Sequence, residues 1–214
     1  MTPGDVREFI QSGEGIGIEF KRKISSPEKI ARELIALANT QGGVILFGVD
    51  DDGGIFGVES EKSEIDLIDF AATQLCDPPI GIDIEVIPFD EKDVIVASVE
   101  QSVEKPHYLL SGNGEENKVY IRVKDQTLIA SKEVIKVLRD ERPDAPPLKL
   151  VIGSNERKLF EYLDTHERIT VKEYAELINV SLRRASRILT TLVRAGVVRI
   201  HTLEKNDYFT LSYD

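Results

Sequence analysis

The chain has 214 residues, 41% of them hydrophobic, enough for two small domains or one large one with a buried core. Its net charge of -11 argues, for the molecule taken whole, against a partner rich in phosphates, and one cysteine with three scattered histidines excludes an internal disulfide and a structural zinc finger. No apolar run reaches the roughly 18 residues of a membrane span, and residues 1–9 carry charges where a signal peptide is apolar, so a cytoplasmic protein without membrane contact is expected.

In chain order, Ile16, Ile18 and Phe20 alternate with Gly17, Glu19 and Lys21 and predict a strand over 16–21. Ser26 and Pro27 suit the N-cap and first turn of a helix over 27–39, with Ile30, Leu34, Leu37 and Ala38 on one face and Gly42-Gly43 ending it. A strand over 44–50 runs into an Asp52-Gly53 turn. The run Asp50-Asp51-Asp52 lacks the downstream ligands of a calcium loop, so the turn is the better reading. Ile65, Ile68, Ala72 and Leu75 mark a helix over 62–76, stopped by Pro78-Pro79. Strands are expected over 82–88, 94–99 and 119–123, then a helix over 131–139. Both periods alternate along this stretch, which predicts a mixed-sheet α/β (α+β) domain over 1–141. Pro143, Pro146 and Pro147 disfavour helix and predict an extended linker over 142–153.

The remaining residues, 154–214, have a different charge balance. Of 27 basic and 38 acidic residues in the chain, 10 and 9 fall here, and no acid occurs between Glu176 and Glu204. Local fields govern docking, so the acidity of the first domain does not rule out a basic face on the second. Helices are expected over 155–166, 171–178 and 182–195, the last two separated by a turn at Asn179-Val180-Ser181. On the third helix Ala185, Ile188, Leu189 and Leu192 share one side, while Arg183, Arg187, Thr190 and Arg194 lie opposite at about 100° per residue. Strands over 197–201 and 207–211 form a hairpin around residues 203–206, which include Lys205. The stretch 170–181, the Arg-rich helix and Leu192-Val193-Arg194-Ala195-Gly196-Val197-Val198 resemble winged helix-turn-helix regulators. That resemblance implies DNA binding by Arg183, Arg184, Arg187, Thr190, Arg194 and Lys205. The plainer alternative is a solvated polar helix face.

In the first domain, GEGIGIEFKRKI (13–24), IARELIALANTQGGVILFGVDDDGGIFGV (30–58), KPHYL (105–109) and VYIRVKDQTLIAS (119–131) resemble the Schlafen-type AlbA-like domain. The resemblance implies an α/β nucleic-acid-binding fold, often followed by a winged helix. It departs from the family at Lys124-Asp125-Gln126-Thr127, where a glycine usually follows Arg-Val. Lys105 and Arg122 are the phosphate-binding candidates, while His107 and Tyr108 are expected to pack. RNA-cleaving members carry a pattern matched here by Glu14, Glu19, Lys21 and Asp50. The resemblance thus implies a catalytic set in which Glu14, Glu19 and Asp50 hold Mg or Mn and Lys21 stabilises developing charge. The alternative makes Glu19 and Lys21 a surface ion pair and Asp50 a turn residue.

The expected function is a DNA-binding transcriptional regulator that needs no cofactor to bind duplex DNA. Its α/β domain would add a nucleic-acid contact, RNA included, a homodimer interface or an effector site. A metal-dependent ribonuclease is the second reading and a protein-binding adaptor the third. No G-x-x-x-x-G-K-[ST] loop is present, so ATP is not expected.

Overall fold

A computed structural model describes residues 1–89, 91–112, 116–202 and 206–212. The described residues form two compact units, 1–129 and 130–214.

In the first unit, Thr2 caps helix α1 (Pro3–Ser12) in a reciprocal capping box with Asp5. Strand β1 (Ile18–Lys21), helix α2 (Pro27–Asn39) and strand β2 (Gly43–Phe47) follow, with β1 and β2 parallel and Ile18 opposite Val44. Helix α3 (Glu61–Gln74), the short strand β3 (Cys76–Asp77), and strands β4 (Ile82–Phe89) and β5 (Lys92–Val99) complete the main sheet, whose order is β1-β2-β5-β4. β5 runs antiparallel to both of its neighbours, which makes the sheet mixed. Strand β6 (Tyr108–Leu109) pairs with β3, and β7 (Tyr120–Val123) forms a hairpin with β8 (Gln126–Ile129).

The period-2 alternation of the central strands sorts the core into two halves. Ile45, Phe47, Ile95, Ala97 and Val99 belong to the cluster with α2 and α3. Val44, Leu46, Val94 and Val96 belong instead with Val6 of α1 and with Phe20, Ile87 and Phe89. From Leu34 to Asn39 every residue of α2 is buried, more than the single face its periodicity predicts, because the helix is enclosed by the sheet, α3 and the β7–β8 hairpin. Truncating Leu34 to Ala would cost about 2 to 5 kcal/mol, since little in such a position can collapse into the void.

The Gly42-Gly43 pair has a steric cause. Gly42 has φ 75, and a Cβ there would lie 2.6 Å from the Val99 carbonyl oxygen, while one on Gly43 would run into the Gly17 backbone. The departure at Lys124 is accommodated by the backbone: Lys124 has φ 58, the left-handed conformation that a glycine would adopt freely.

The second unit begins with helix α4 (Lys132–Asp140), capped by Ser131. The sequence reading places this helix in the first domain and the division at 142–153, whereas α4 packs against the later helix α7 (Leu182–Arg194) and groups with the C-terminal unit. Helices α5 (Ser154–Leu163) and α6 (Val171–Ile178) precede α7, and strands β9 (Val198–His201) and β10 (Tyr208–Leu211) form an antiparallel hairpin after it. Leu159, Ile169, Tyr174, Ala185, Leu189 and Phe209 are completely buried or nearly so at the centre of this unit.

Candidate nucleic-acid interface

The helix-turn-helix is built from local signals. Thr170 and Glu173 form a capping box at the start of α6. Asn179, at φ 53, supplies the left-handed residue that ends α6, and Ser181 then caps α7 by accepting the Arg184 N–H. The turn is short because each cap sits within two residues of the other. The Tyr174 hydroxyl donates to the Asn155 carbonyl at 3.1 Å and ties α6 to the start of α5.

With Ala185, Leu189 and Leu192 in the core, Arg183, Arg184 and Arg187 are exposed, and their guanidinium groups make no hydrogen bond or ion pair to a described residue. Arg194 is half-buried and donates to the Pro146 carbonyl at 2.7 Å, so part of its donor set is used by the chain itself. Thr190 does not join the exposed row. It is 3% exposed, and its hydroxyl donates to the carbonyls of Ser186 and Arg187 at 2.9 and 3.1 Å. The cause is α4, which covers this edge of α7: the Ser186 hydroxyl donates to Glu133 at 2.8 Å and accepts from Lys136. Lys205 lies outside the described residues. On the hairpin, the His201 and Tyr208 rings stack at 4.7 Å and the Arg168 guanidinium lies 4.9 Å from the Tyr208 ring, which holds the two strands in register.

The first unit treats its charges differently. Arg122 is 3% exposed and donates to Glu19 at 2.6 Å, to Glu33 and Thr127 at 3.2 Å, and to the Gly15 carbonyl at 2.6 Å. It is the internal counter-ion of two carboxylates and is not presented to a phosphate. Lys105 is likewise buried, at 5% exposure. Both expected phosphate contacts are therefore corrected: burial removes them from a nucleic-acid surface.

Of the carboxylate set, Glu14 and Glu19 are neighbours, and each is engaged by the chain itself. Glu19 is engaged by Arg122 and by Lys21. The Glu14 carboxylate accepts the Phe20 N–H at 2.9 Å. Although Glu14 is an exposed residue, desolvation of its carboxyl raises it above the ordinary range, against the lowering effect of that N–H, and the neighbouring charges of Glu19 and Asp51 raise it further. Asp50 meets Arg22 at 3.4 Å, while its other oxygen accepts the Asp51 N–H. Among the described residues no three His, Cys, Asp or Glu side chains are grouped to hold a metal ion. The residues present do not fit a Glu14, Glu19 and Asp50 metal centre.

Sequence reasoning missed what the Asn39-Thr40 pair does. Asn39, 1% exposed, donates to the carbonyls of His107 and Tyr120 and accepts the His107 N–H at 2.8 Å, and the Thr40 hydroxyl accepts the Arg122 N–H at 2.9 Å. A polar pair at the end of an otherwise apolar helix was the available signal, since buried amides need every partner satisfied.

An α/β unit with a mixed sheet thus precedes a unit whose third helix carries an exposed basic row ahead of a β-hairpin, the architecture of a nucleic-acid-binding protein with a winged helix. A Schlafen, AlbA_2 family model matches residues 14–131, more than half of the chain, and the chain belongs to that family. A winged helix-turn-helix DNA-binding model matches residues 154–199. Among solved structures, the DIP2311 protein from Corynebacterium diphtheriae aligns with a TM-score of 0.50 and 17% identity over 71% of this chain. That is a likeness of fold, and this chain spans 30% of that one. The N-terminal domain of a RecG-related protein from Nitrosomonas europaea aligns with a TM-score of 0.45 and 16% identity, covering 72% of this chain and 96% of that domain. No curated protein matches the chain. Among the described residues no helix is long and apolar enough to cross a membrane.

Proposed function

We propose that the protein is a transcriptional regulator that places α7 in the major groove of duplex DNA. The observation that carries this reading is the row of Arg183, Arg184 and Arg187, exposed on a helix whose opposite side is core and whose flanking sequence holds no acid from 177 to 203. Such a row repels itself, no described residue neutralises it, and a polyanion relieves the repulsion. The N-terminal end of this helix is the part that reads bases in a helix-turn-helix, so Arg183 and Arg187 are the base readers and Arg184 a backbone contact. Placement of the first unit's carboxylates in ion pairs and a turn gives the ribonuclease reading no comparable support. The test is a mobility-shift titration of the full chain with random-sequence duplex DNA across a salt series. Binding that weakens linearly in log-log form with added salt is expected, and absence of binding at low salt would overturn the reading.

A further inference from the structure

Helix α4 lies outside the matched winged-helix segment, yet it forms one wall of a cleft beside α7. The cleft has a volume of about 460 Å³ and, among the described residues, is lined by Lys136, Arg139, Arg183, Arg184 and Arg187 against one carboxylate, Asp140. Two of those five cations come from α4. Lys136 and Arg139 are three residues apart on a helix and therefore lie on one side of it. The opposite side of α4 is anchored by Val134 and Leu138, both buried.

α4 is also fixed in azimuth against α7. Ser186 donates to Glu133 and accepts from Lys136, so one buried hydroxyl holds two residues of α4 one turn apart. An arrangement that only needed to cover apolar surface would not bring cations of α4 to face cations of α7. Cations that face one another across a cleft repel, and an anion entering between them relieves that repulsion.

We infer that α4 is a phosphate-binding wall of the DNA interface: Lys136 and Arg139 take backbone phosphates of the same duplex whose groove receives α7. The major groove is about 12 Å wide and a helix with its side chains fills it, so a second helix packed beside α7 cannot enter the groove. It falls at the groove's lip, where the phosphates are. Contacts there fix the register of α7 on the duplex and carry no sequence information. This inference rests on the proposed docking of α7, and the experiment separates the two.

The full chain is titrated with random-sequence duplex DNA at several salt concentrations, comparing wild type with Lys136→Gln/Arg139→Gln, Lys136→Arg/Arg139→Lys, Ser186→Ala and Arg183→Ala/Arg187→Ala. Each lost phosphate contact lowers the salt slope by about 0.9, so the Gln pair should lower it by about 2. The charge-preserving pair should retain the wild-type slope, and Ser186→Ala, which loosens α4 without removing charge, should stay near it. An unchanged slope in the Gln pair, with binding still lost in Arg183→Ala/Arg187→Ala, would overturn the role of α4 and leave α7 standing. No change in either pair would overturn both. An equal loss of slope in Ser186→Ala would assign the effect to docking of α4 in place of its charge, and tighter binding by the Gln pair would make α4 an obstruction; each result overturns the inference.

Discussion

Two arginine environments set the units of this protein apart. Arg122 is enclosed in the first unit with Glu19, Glu33, Thr127 and a backbone carbonyl around it, whereas Arg183, Arg184 and Arg187 in the second stand in solvent without a described partner. The same side chain is structural in one place and available in the other. An acidic total charge conceals the difference, because the acids are concentrated before residue 154. A cation enclosed with carboxylates is committed to the fold, whereas one exposed without a described partner is open to a ligand.

The largest effect that this contrast predicts is on folding. Arg122→Ala leaves Glu33 without its counter-ion and Glu19, 6% exposed, with Lys21 alone, and removing one partner of a buried ion pair costs about 3 to 5 kcal/mol. Arg122→Lys should recover only part of that, because one ammonium cannot span the donors that the guanidinium fork directs to Glu19, Glu33 and the Gly15 carbonyl. Urea unfolding of both variants measures it, and a loss below about 1 kcal/mol in Arg122→Ala would mean that the pair is solvated. The next effect is on binding. Arg183→Ala/Arg187→Ala should weaken duplex binding at least tenfold, about 1.4 kcal/mol, while the melting temperature stays at the wild-type value. The same change at Lys62 and Lys92, in the acidic unit, is the charge-matched control. Equal weakening in both would reduce the α7 row to generic attraction.

A smaller effect concerns pH. His107 is 2% exposed, its Nδ1 lies 2.7 Å from the Pro78 carbonyl, and its Nε2 is buried without a partner among the described residues. Burial lowers the ring below the ordinary histidine range, against the raising effects of the Pro78 carbonyl, Glu104 and Asp77. The folded chain thus prefers the neutral ring. Stability is complete above the unfolded histidine value of about 6.5 and is lost as pH falls from there through the folded value, with a slope of at most about 1.4 kcal/mol per pH unit. His107→Gln keeps an N–H for Pro78 and should flatten unfolding midpoints between pH 7 and 5.5. The same decline in wild type and variant would assign it to other groups.

Elements set by local chemistry were legible in the sequence. Pro27–Asn39 is found where Ser26-Pro27 place it, and Val171–Ile178 at the expected bounds, because caps and apolar periodicity act within one or two turns. Helix α1 carries equally good signals in Thr2, Pro3 and Asp5, with Val6, Phe9 and Ile10 on one side, but its charges draw attention first to the contrast with a signal peptide. The strands β3 and β6, two residues each, have no period to detect. The site was less legible than the fold. Arg122 meets Glu19 across 103 residues and Ser186 meets Glu133 across 53, so neither the loss of Arg122 as a phosphate contact nor the covering of one edge of α7 has a local signature.

That covered edge gives the smallest predicted effect and the finest test of the contrast between enclosed and available side chains. Helical periodicity alone puts Thr190 beside Arg187 on the outward side of α7, yet Thr190 is 3% exposed. Among the described residues its hydroxyl bonds only to carbonyls of its own helix, at Ser186 and Arg187. Thr190→Val keeps the volume and β-branching, and it strands no donor, since those carbonyls keep their place in the helical ladder. The change in stability should stay under about 1 kcal/mol, given that Thr and Val have similar helix propensities. Duplex affinity should remain within about twofold of wild type, a shift under about 0.4 kcal/mol. Arg187→Ala, three residues earlier and exposed, should weaken binding by several times more in the same titration. If Thr190→Val instead weakens binding as much as Arg187→Ala, the edge under α4 reaches DNA, and α4 must leave α7 when the duplex binds.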